Sequence, residues 1–553
     1  MAITRKEFLK LGLVAGGAGL ALSSGASASM PGARGHATTG NLLRSAARLP
    51  KPFRVSLPVP AVLEPVRSDD DTDHSDADHS DVDHYAITQK IGKAEFLPGL
   101  QTEVWGYEGS FPGPTIESRS GRATIVRQVN ELPVPVSTHL HGGRTPASSD
   151  GFPTDLILPR LRSSEEHSPH AHHGNPDSPH DNKAGWSFHR GSKDYVYPLE
   201  QRATTLWYHD HRMDFTGPQI WRGLAGFHII RDDVEDALPL PKDKRDIPLM
   251  ICDRAFGEGG SFLYPSLDPS LQGKPGVKGN YMEGVLGDVI LVNGVPWPFM
   301  EVSNTRYRFR ILNASNARRY RLALDPGPSD GLPFVQVGSD GGLLGAPISH
   351  RTIPIAPAER FDVVIDFSKY PVGTKVTLKN HFGYGTTSQV MRFHVVRKEK
   401  EQSAVPERLS DMAERLSVMV ESKALGESNA RLTRKFYFTR AFHNGRVVWA
   451  INGKVFSPSR IDARPELGST EIWELTTDVH HPVHIHLVKF KVLSRNGRKP
   501  LPTDAGWKDT IDLRPREVAR VLARFDGYHG KYVFHCHNLE HEDMMMMANF
   551  EVV

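Results

Sequence analysis

Only two cysteines, Cys252 and Cys536, occur in 553 residues. Two residues so far apart exclude a disulfide framework, and each has to be read alone. Excess charge is also scarce: 67 Lys and Arg against 64 Asp and Glu leave 67 − 64 = +3. A balance that close to zero argues against bulk nucleic-acid binding. Beyond the N-terminus no run of eighteen apolar residues occurs, so no stable membrane insertion is expected. There is no Gly-x-Ser-x-Gly elbow for nucleophilic hydrolysis and no nucleotide-binding fingerprint. Histidine, by contrast, is abundant at 27 residues, alongside 49 Gly and 41 Pro. Gly and Pro at that density imply many turns and hence β architecture. At about 150 residues per domain the length predicts three or four domains.

Residues Thr4-Arg5-Lys6-Glu7-Phe8-Leu9-Lys10 precede an apolar run from Leu11 to Leu22, and small residues follow, ending in Ala26-Ser27-Ala28. A charged segment, an apolar core and an A-x-A-like site read as an export signal over residues 1–28. It resembles a twin-arginine signal, with Lys6 where the second Arg is expected, and places the mature chain in a bacterial periplasm or outside the cell. A five-residue repeat runs from Asp71 to Tyr85, each unit closing an Asp-x-Asp-His pattern at His74, His79 and His84. A second biased stretch, Ser163 to Lys183, holds His167, His170, His172, His173 and His180. Both read as solvated polar loops with, at most, weak affinity for a metal.

Elsewhere short β-branched runs alternate with turn signals. Examples are Ala123–Val129, Val289–Val292 before Asn293-Gly294, Arg306–Leu312 and Phe361–Phe367. This spacing predicts an all-β chain of sandwiches rather than βαβ units. A more charged, helix-like segment with few strand signals separates the last of them. The predicted division is 50–240, 245–398, a linker at 399–429, and 430–553. Cys252, after Pro248-Leu249-Met250-Ile251, reads as a buried strand thiol. Asp340 to Gly342 reads as a turn, and Arg318-Arg319 as a surface pair.

Four short segments carry the chemistry: Thr138-His139-Leu140-His141-Gly142-Gly143, Trp207-Tyr208-His209-Asp210-His211, His481-Pro482-Val483-His484-Ile485-His486, and Phe534-His535-Cys536-His537-Asn538-Leu539-Glu540-His541 followed by Glu542, Asp543 and Met544 to Met547. On a strand, residues i and i+2 share a face about 6.5–7 Å apart. Each His-x-His pair therefore presents two imidazoles to one site, each able to reach a different ion. Eight imidazoles from four pairs fit a polynuclear centre better than a single ion. Parity separates a second site. Cys536 lies between His535 and His537 and points to the opposite face, and His481 is odd-numbered from His484 and His486 in the same sense. Cys536, His481 and His541, with a downstream Met as weak axial ligand, form the ligand set of a blue-copper site. Zinc competes for His/Cys sets, and one His-x-His alone is weak evidence. Four pairs with a His-Cys-His and a following Met run are not explained by satisfied core histidines.

These residues resemble the multicopper oxidases, and the resemblance extends from about Tyr85 to Val553. Trp105-Gly-Tyr-Glu-Gly-Ser-Phe-Pro-Gly-Pro-Thr-Ile-Glu117 and Gly223-Leu-Ala-Gly-Phe are similar to that family's first domain. His-Cys-His-Asn-Leu-Glu-His-Glu-Asp is most like the spore-coat laccase, bilirubin oxidase and phenoxazinone synthase group. The resemblance implies three cupredoxin-like Greek-key β-sandwich domains and four copper ions. It implies His481, Cys536, His541 and Met546 as type 1 ligands, with Met546 taken from among the four methionines by its distance from His541. It implies His139 and His484 at type 2 copper, and His141, His209, His211, His486, His535 and His537 at the type 3 pair. Glu542 and Asp150 are implied as proton-supplying carboxylates. The implied reaction couples one-electron oxidation of a small-molecule reducing substrate to reduction of dioxygen to water by a monomer. Phenols, aminophenols or bilirubin-like pigments are the expected substrates. The alternative is a metal-ion oxidase for Cu(I), Mn(II) or Fe(II), although the chain lacks a long Met-rich insertion. A non-enzymatic copper-binding scaffold is less favoured, because the ligand set is complete.

Overall fold

The computed structural model describes residues 40–66, 82–160, 185–265, 281–410 and 426–553. The export signal, the His-rich stretch at 163–183 and the first two units of the Asp/His repeat lie outside them. The repeat's last unit is not a loop: residues from Val82 onward enter the strand Val82–Leu97, with Tyr85 buried and His84 exposed.

Three pairs of sheets follow one another along the chain. In the first, Leu100–Tyr107, Val82–Leu97, Ala123–Asn130 and Ser192–Tyr197 pack on Ile116–Arg119, Ala225–Arg231, Thr204–Asp210 and Thr138–His141. In the second, a seven-stranded sheet built around Asp246–Arg254, Arg306–Asn313 and Arg360–Asp366 packs on a five-stranded sheet running from Phe299–Ser303 through Gln389–Arg397 and Lys375–Asn380. In the third, a five-stranded sheet centred on Ser469–Thr477 packs on Thr510–Leu513, His481–Ile485, Gly530–Cys536 and Met547–Val552. Each sandwich pairs its opening long strand in parallel with a later one: Val82–Leu97 with Ala123–Asn130, Asp246–Arg254 with Arg306–Asn313, and Thr433–His443 with Ser469–Thr477. Parallel neighbours inside otherwise antiparallel sheets require crossovers between the two layers, as in a Greek key.

Alternation along the strands explains the cores. In Ala123–Asn130 every second residue is buried, and such inward residues from both layers fill each sandwich. The third core gathers Phe436, Trp473, Val483, Val521, Phe534 and Phe550 around Cys536. Asn293 and Gly294, with φ of 49° and 81°, form the turn between Val289–Val292 and Val295–Pro296, the left-handed pair that a two-residue hairpin needs. Cys252 is buried in Asp246–Arg254, where burial pushes its thiol up to about 11. Over residues 399–410 the linker is irregular, and a single 3-10 turn forms at Glu427–Asn429; residues 411–425, the middle of the helix-like segment, lie outside the described residues. Among the described residues no helix is long and apolar enough to cross a membrane.

Arg318 and Arg319 are not a surface pair. Both are buried; Arg318 Nε donates to Asp253 Oδ2 at 2.7 Å, and Arg319 Nε to Asp512 Oδ1 at 3.0 Å. Their partners lie 65 and 193 residues away in sequence, so no local signal marks them. A buried guanidinium needs such a carboxylate.

Candidate metal centre

The four His-x-His segments lie on two strand pairs from different sandwiches. Thr138–His141 runs antiparallel to Thr204–Asp210 with His139 opposite His209. His481–Ile485 runs antiparallel to Gly530–Cys536 with His484 opposite His535 and Val483 opposite Cys536. The first and third sandwiches bring these pairs face to face. The His141 ring stacks on His484 at 3.6 Å and the His139 ring on His486 at 3.8 Å. All eight of these histidines are at most 1% exposed.

Nitrogen geometry sorts the eight into three groups. His211 Nε2 and His486 Nε2 each lie 3.2 Å from His535 Nε2. His139 Nε2 lies 3.4 Å from His484 Nε2. The remaining rings, His141, His209 and His537, have centroids 5.1 to 5.8 Å apart, and among the described residues His141 Nδ1, His209 Nε2 and both His537 nitrogens have no hydrogen-bond partner.

Protein acceptors hold most rings from behind. The Nδ1–H of His139 donates to the Asp150 carbonyl at 2.5 Å, and that of His209 to the Asp210 carbonyl at 2.8 Å. His484 Nδ1–H donates to the Asp509 carbonyl at 2.9 Å, and His486 Nδ1–H to Asp150 Oδ2 at 2.7 Å. His535 Nδ1 lies 3.1 Å from the Cys536 carbonyl and 3.0 Å from Glu542 Oε2. His141 is reversed: its Nε2–H donates to Asp509 Oδ1 at 3.1 Å. One nitrogen of each of these rings is thereby committed as a donor. In His139, His484, His486 and His535 the other is left as a lone pair facing a neighbouring lone pair, which is repulsive unless a cation lies between them. Two imidazole nitrogens bound tetrahedrally to one first-row ion sit about 3.3 Å apart, the separation found at His211, His486 and His535. Burial holds His139, His141, His211, His484, His486 and His537 well below the ordinary imidazole range, in the neutral form a metal requires.

The second cluster takes His481 and Cys536 from the other face of the same strands and His541 from the short helix Leu539–Asp543. His481 Nδ1 is 3.0 Å from His541 Nδ1, and Cys536 Sγ is 3.4 Å from the first and 3.6 Å from the second. His481 Nε2–H donates to Asp478 Oδ1 at 2.9 Å, which turns its Nδ1 inward. The Asn538 N–H points at the sulfur at 3.4 Å. Burial nevertheless pushes the Cys536 thiol well up, so a cation at the sulfur is what would displace its proton. The methionine run divides. Met546 joins the buried cluster containing Cys536, whereas Met545 and Met547 pack with Phe152 and Phe456. The Trp449 ring lies 3.9 Å from His541.

The two sequence-predicted carboxylates both reach the eight-histidine cluster. Asp150 serves His139 with its carbonyl and His486 with Oδ2, while its Oδ1 has no hydrogen-bond partner among the described residues. Burial pushes its carboxyl up to about 8. Gly151 makes this return of the chain feasible: its φ is 75°, and a Cβ there would collide with the Thr138 carbonyl. Glu542 accepts from the Thr216 hydroxyl at 2.8 Å and lies 3.7 Å from His211 Nε2. Burial pushes its carboxyl up, but His535 and His211 more than reverse this and leave it lowered. Its neighbour Asp543 accepts from the N–H groups of Thr216 and Gly217 at 2.9 and 2.8 Å, tying Leu539–Asp543 to the start of Thr216–Arg222.

Sequence reasoning missed Asp509, Asp478 and Arg360. Asp478, three residues before His481, carried a faint local signal. Asp509 carried none, because what it holds is assembled from three sandwiches: His141 from the first, Arg360 from the second, and Lys489 from its own. Arg360 Nη1 donates to Asp509 Oδ1 at 2.8 Å and Lys489 Nζ to Oδ2 at 2.7 Å. Burial pushes the Asp509 carboxyl up, and Arg360 and Lys489 more than reverse it, holding it well below its usual range.

Residues 428–553, 89–161 and 187–235 match family models described as multicopper oxidase. The chain is 37% identical to a laccase of Bacillus stratosphericus, across 91% of this chain and 99% of that relative. It is 34% identical to a bilirubin oxidase of Albifimbria verrucaria, across 93% and 84%. The crystal structure of a laccase from Pediococcus acidilactici superposes with a TM-score of 0.73 at 30% identity, covering 92% of this chain and 96% of that one. The chain belongs to the multicopper oxidases. Within them it falls in the laccase and bilirubin oxidase group: a copper-dependent oxidase built from cupredoxin-like β-sandwiches, acting on small molecules with oxygen as acceptor.

Proposed function

We propose that this oxidase takes electrons one at a time from phenols, aminophenols or bilirubin-like pigments and holds four copper ions. Similarity to a laccase and a bilirubin oxidase along nearly the whole chain supports that substrate class. The observation that carries the copper assignment is the set of buried nitrogens that, among the described residues, face each other or have no partner.

His481, Cys536, His541 and Met546 would hold type 1 copper. His139 and His484 would hold type 2, and two triads, His141-His209-His537 and His211-His486-His535, would hold the type 3 pair. Once bound, copper supplies single-electron acceptance at Cys536 and the four-electron reduction of dioxygen to two waters among the eight histidines. The chain does the rest. Cys536 is bonded through its own backbone to His535 and His537, so one three-residue segment joins the two sites. Asp150, with Oδ1 unpartnered among the described residues, and Glu542, with Oε1 on the Thr216 hydroxyl, stand beside the eight histidines as the carboxyl groups through which protons are supplied. Asp509, clamped by Arg360 and Lys489, fixes His141. Burial of every ligand keeps bulk water out of the cluster, which strengthens each charge interaction inside it. The charged, apolar and small-residue order of residues 1–28 supports export of the mature chain, read as a monomer.

The test is oxygen consumption by the copper-loaded protein with phenols, an aminophenol, bilirubin, and Cu(I), Mn(II) and Fe(II) as donors. Turnover on the organic donors well above that on the metal ions is expected. Efficient turnover on a metal ion alone would overturn the substrate assignment.

A further inference from the structure

A basic cavity of ≈ 560 Å³ lies on the middle sandwich, on elements that carry none of the metal-centre histidines. Its floor is the outer face of two antiparallel strands, Lys375–Asn380 and Gln389–Arg397. Alternation sends Val376, Leu378, Phe393 and Val395 into the core and leaves Lys375, Lys379, Arg392 and His394 outward. Register sets Lys375 opposite His394, Thr377 opposite Arg392, and Lys379 opposite Gln389. The rim is the segment carrying Lys51 and Arg54, held at the sheet edge by the Phe53 N–H on the Trp297 carbonyl at 2.8 Å and the Leu57 N–H on the Phe299 carbonyl at 2.7 Å.

Five side chains of fixed positive charge thus converge. Among the described residues two acids stand against them: Asp325, 3.5 Å from Lys379, and Glu301, beside His394 on the neighbouring strand. Among the described residues no carboxylate pairs with Lys51, Arg54, Lys375 or Arg392. Like charges on one sheet face are destabilising. Same-face neighbours about 7 Å apart also lie within the screening length of physiological salt, about 8 Å. The fold supports this arrangement with specific contacts. Arg392 stacks its guanidinium over the Phe53 ring at 3.8 Å and donates from Nε to Thr377 Oγ1 at 3.1 Å. Its two terminal nitrogens are left as a fixed fork, the group that meets a phosphate or carboxylate in bidentate fashion. Phe53 is held at φ 64° to present that ring, a conformation costly for a bulky residue. Among the described residues His394 Nε2 has no hydrogen-bond partner.

We propose that this cavity is a binding site for a small polyanion carrying two or more phosphate or carboxylate groups, with Arg392 as its anchor and Lys375, Lys379, Lys51 and Arg54 around it. The site is separate from the oxidase chemistry and does not depend on which substrate that chemistry takes.

Isothermal titration of the copper-loaded full chain with inorganic pyrophosphate and, separately, benzene-1,3,5-tricarboxylate tests it. The visible spectrum is followed in parallel to show that copper stays in place. A saturating one-to-one isotherm with at least one probe is expected, weakening as salt rises. Which probe binds more tightly distinguishes a phosphate from a carboxylate ligand. Arg392→Gln and the double variant Lys375→Gln/Lys379→Gln should each weaken binding about tenfold or more while phenol oxidation stays at the parent rate. All three positions are on a solvent-facing sheet surface, and a Lys51→Gln/Arg54→Gln variant on the rim gives an independent reading. No saturable heat with either probe, or an isotherm unchanged in all three variants, would overturn the assignment.

Discussion

Each imidazole has two nitrogens, and at the metal centre the chain commits one of them for most rings. Asp150, Asp210, Asp478 and Asp509 receive the outward N–H groups, and the inward lone pairs converge. Partners of this kind set ring orientation, and their loss typically lowers metal affinity or activity about 10–100-fold. Asp150→Ala removes the acceptor on His486 and should lower copper retention by that order, read as copper per chain after dialysis. Asp150→Asn separates two roles. The amide oxygen still accepts from His486, so copper content and the KM for a phenol should hold. The proton-donating oxygen is lost, so kcat for oxygen uptake should fall about 10²-fold or more. An unchanged kcat in Asp150→Asn would remove Asp150 from the proton path.

At the scale of elements, a few residues decide how strands and loops meet. Gly151→Ala places a Cβ against the Thr138 carbonyl at positive φ. It should destabilise by about 1–3 kcal/mol and pull Asp150 from the cluster, seen as a lower denaturation midpoint together with slower turnover. In the middle sandwich Arg310 donates to Glu235 at 2.8 Å and to Asp246 at 2.9 Å. Arg310→Met leaves those buried carboxylates short of a partner, at a cost of about 3–5 kcal/mol. Burial pushes Asp246 up, and Arg310 and Arg308 reverse this to hold it down to about 2 from an ordinary 3.8. A depressed carboxylate stabilises the fold above its unfolded value and loses that contribution as pH falls through the folded one. The stability gap between parent and Arg310→Met should therefore be full above pH 4 and shrink towards pH 2. Elements of this kind were legible in the sequence where the rule is local. Short β-branched runs between turn signals marked the strands, Asn293-Gly294 marked a turn, and parity put Cys536 and His481 on the face opposite the His-x-His pairs. Asp509, Arg360 and the buried Arg318-Arg319 pair were not legible, because their partners come from other sandwiches and charge alone reads as surface.

For the whole molecule, the eight-histidine cluster is a joint. His139, His141, His209 and His211 come from the first sandwich, and His484, His486, His535 and His537 from the third, so an ion held by both fastens them. Ligand that binds only the folded state adds about 2.7 kcal/mol at a hundredfold excess over Kd. Chelated protein should accordingly unfold at a lower temperature than the reconstituted form in scanning calorimetry, with the difference restored by copper. The central claim is that one segment, His535-Cys536-His537, links a thiolate copper site to an oxygen-reducing cluster of histidines. Visible absorption, copper content and oxygen uptake of the parent beside Cys536→Ser test it most directly. The prediction is an intense blue band and four coppers per chain in the parent, and in Cys536→Ser loss of the band, retention of the histidine-bound copper, and no oxygen uptake with a phenol. A copper-loaded parent without the band, or a Cys536→Ser enzyme that still consumes oxygen at the parent rate, would contradict it.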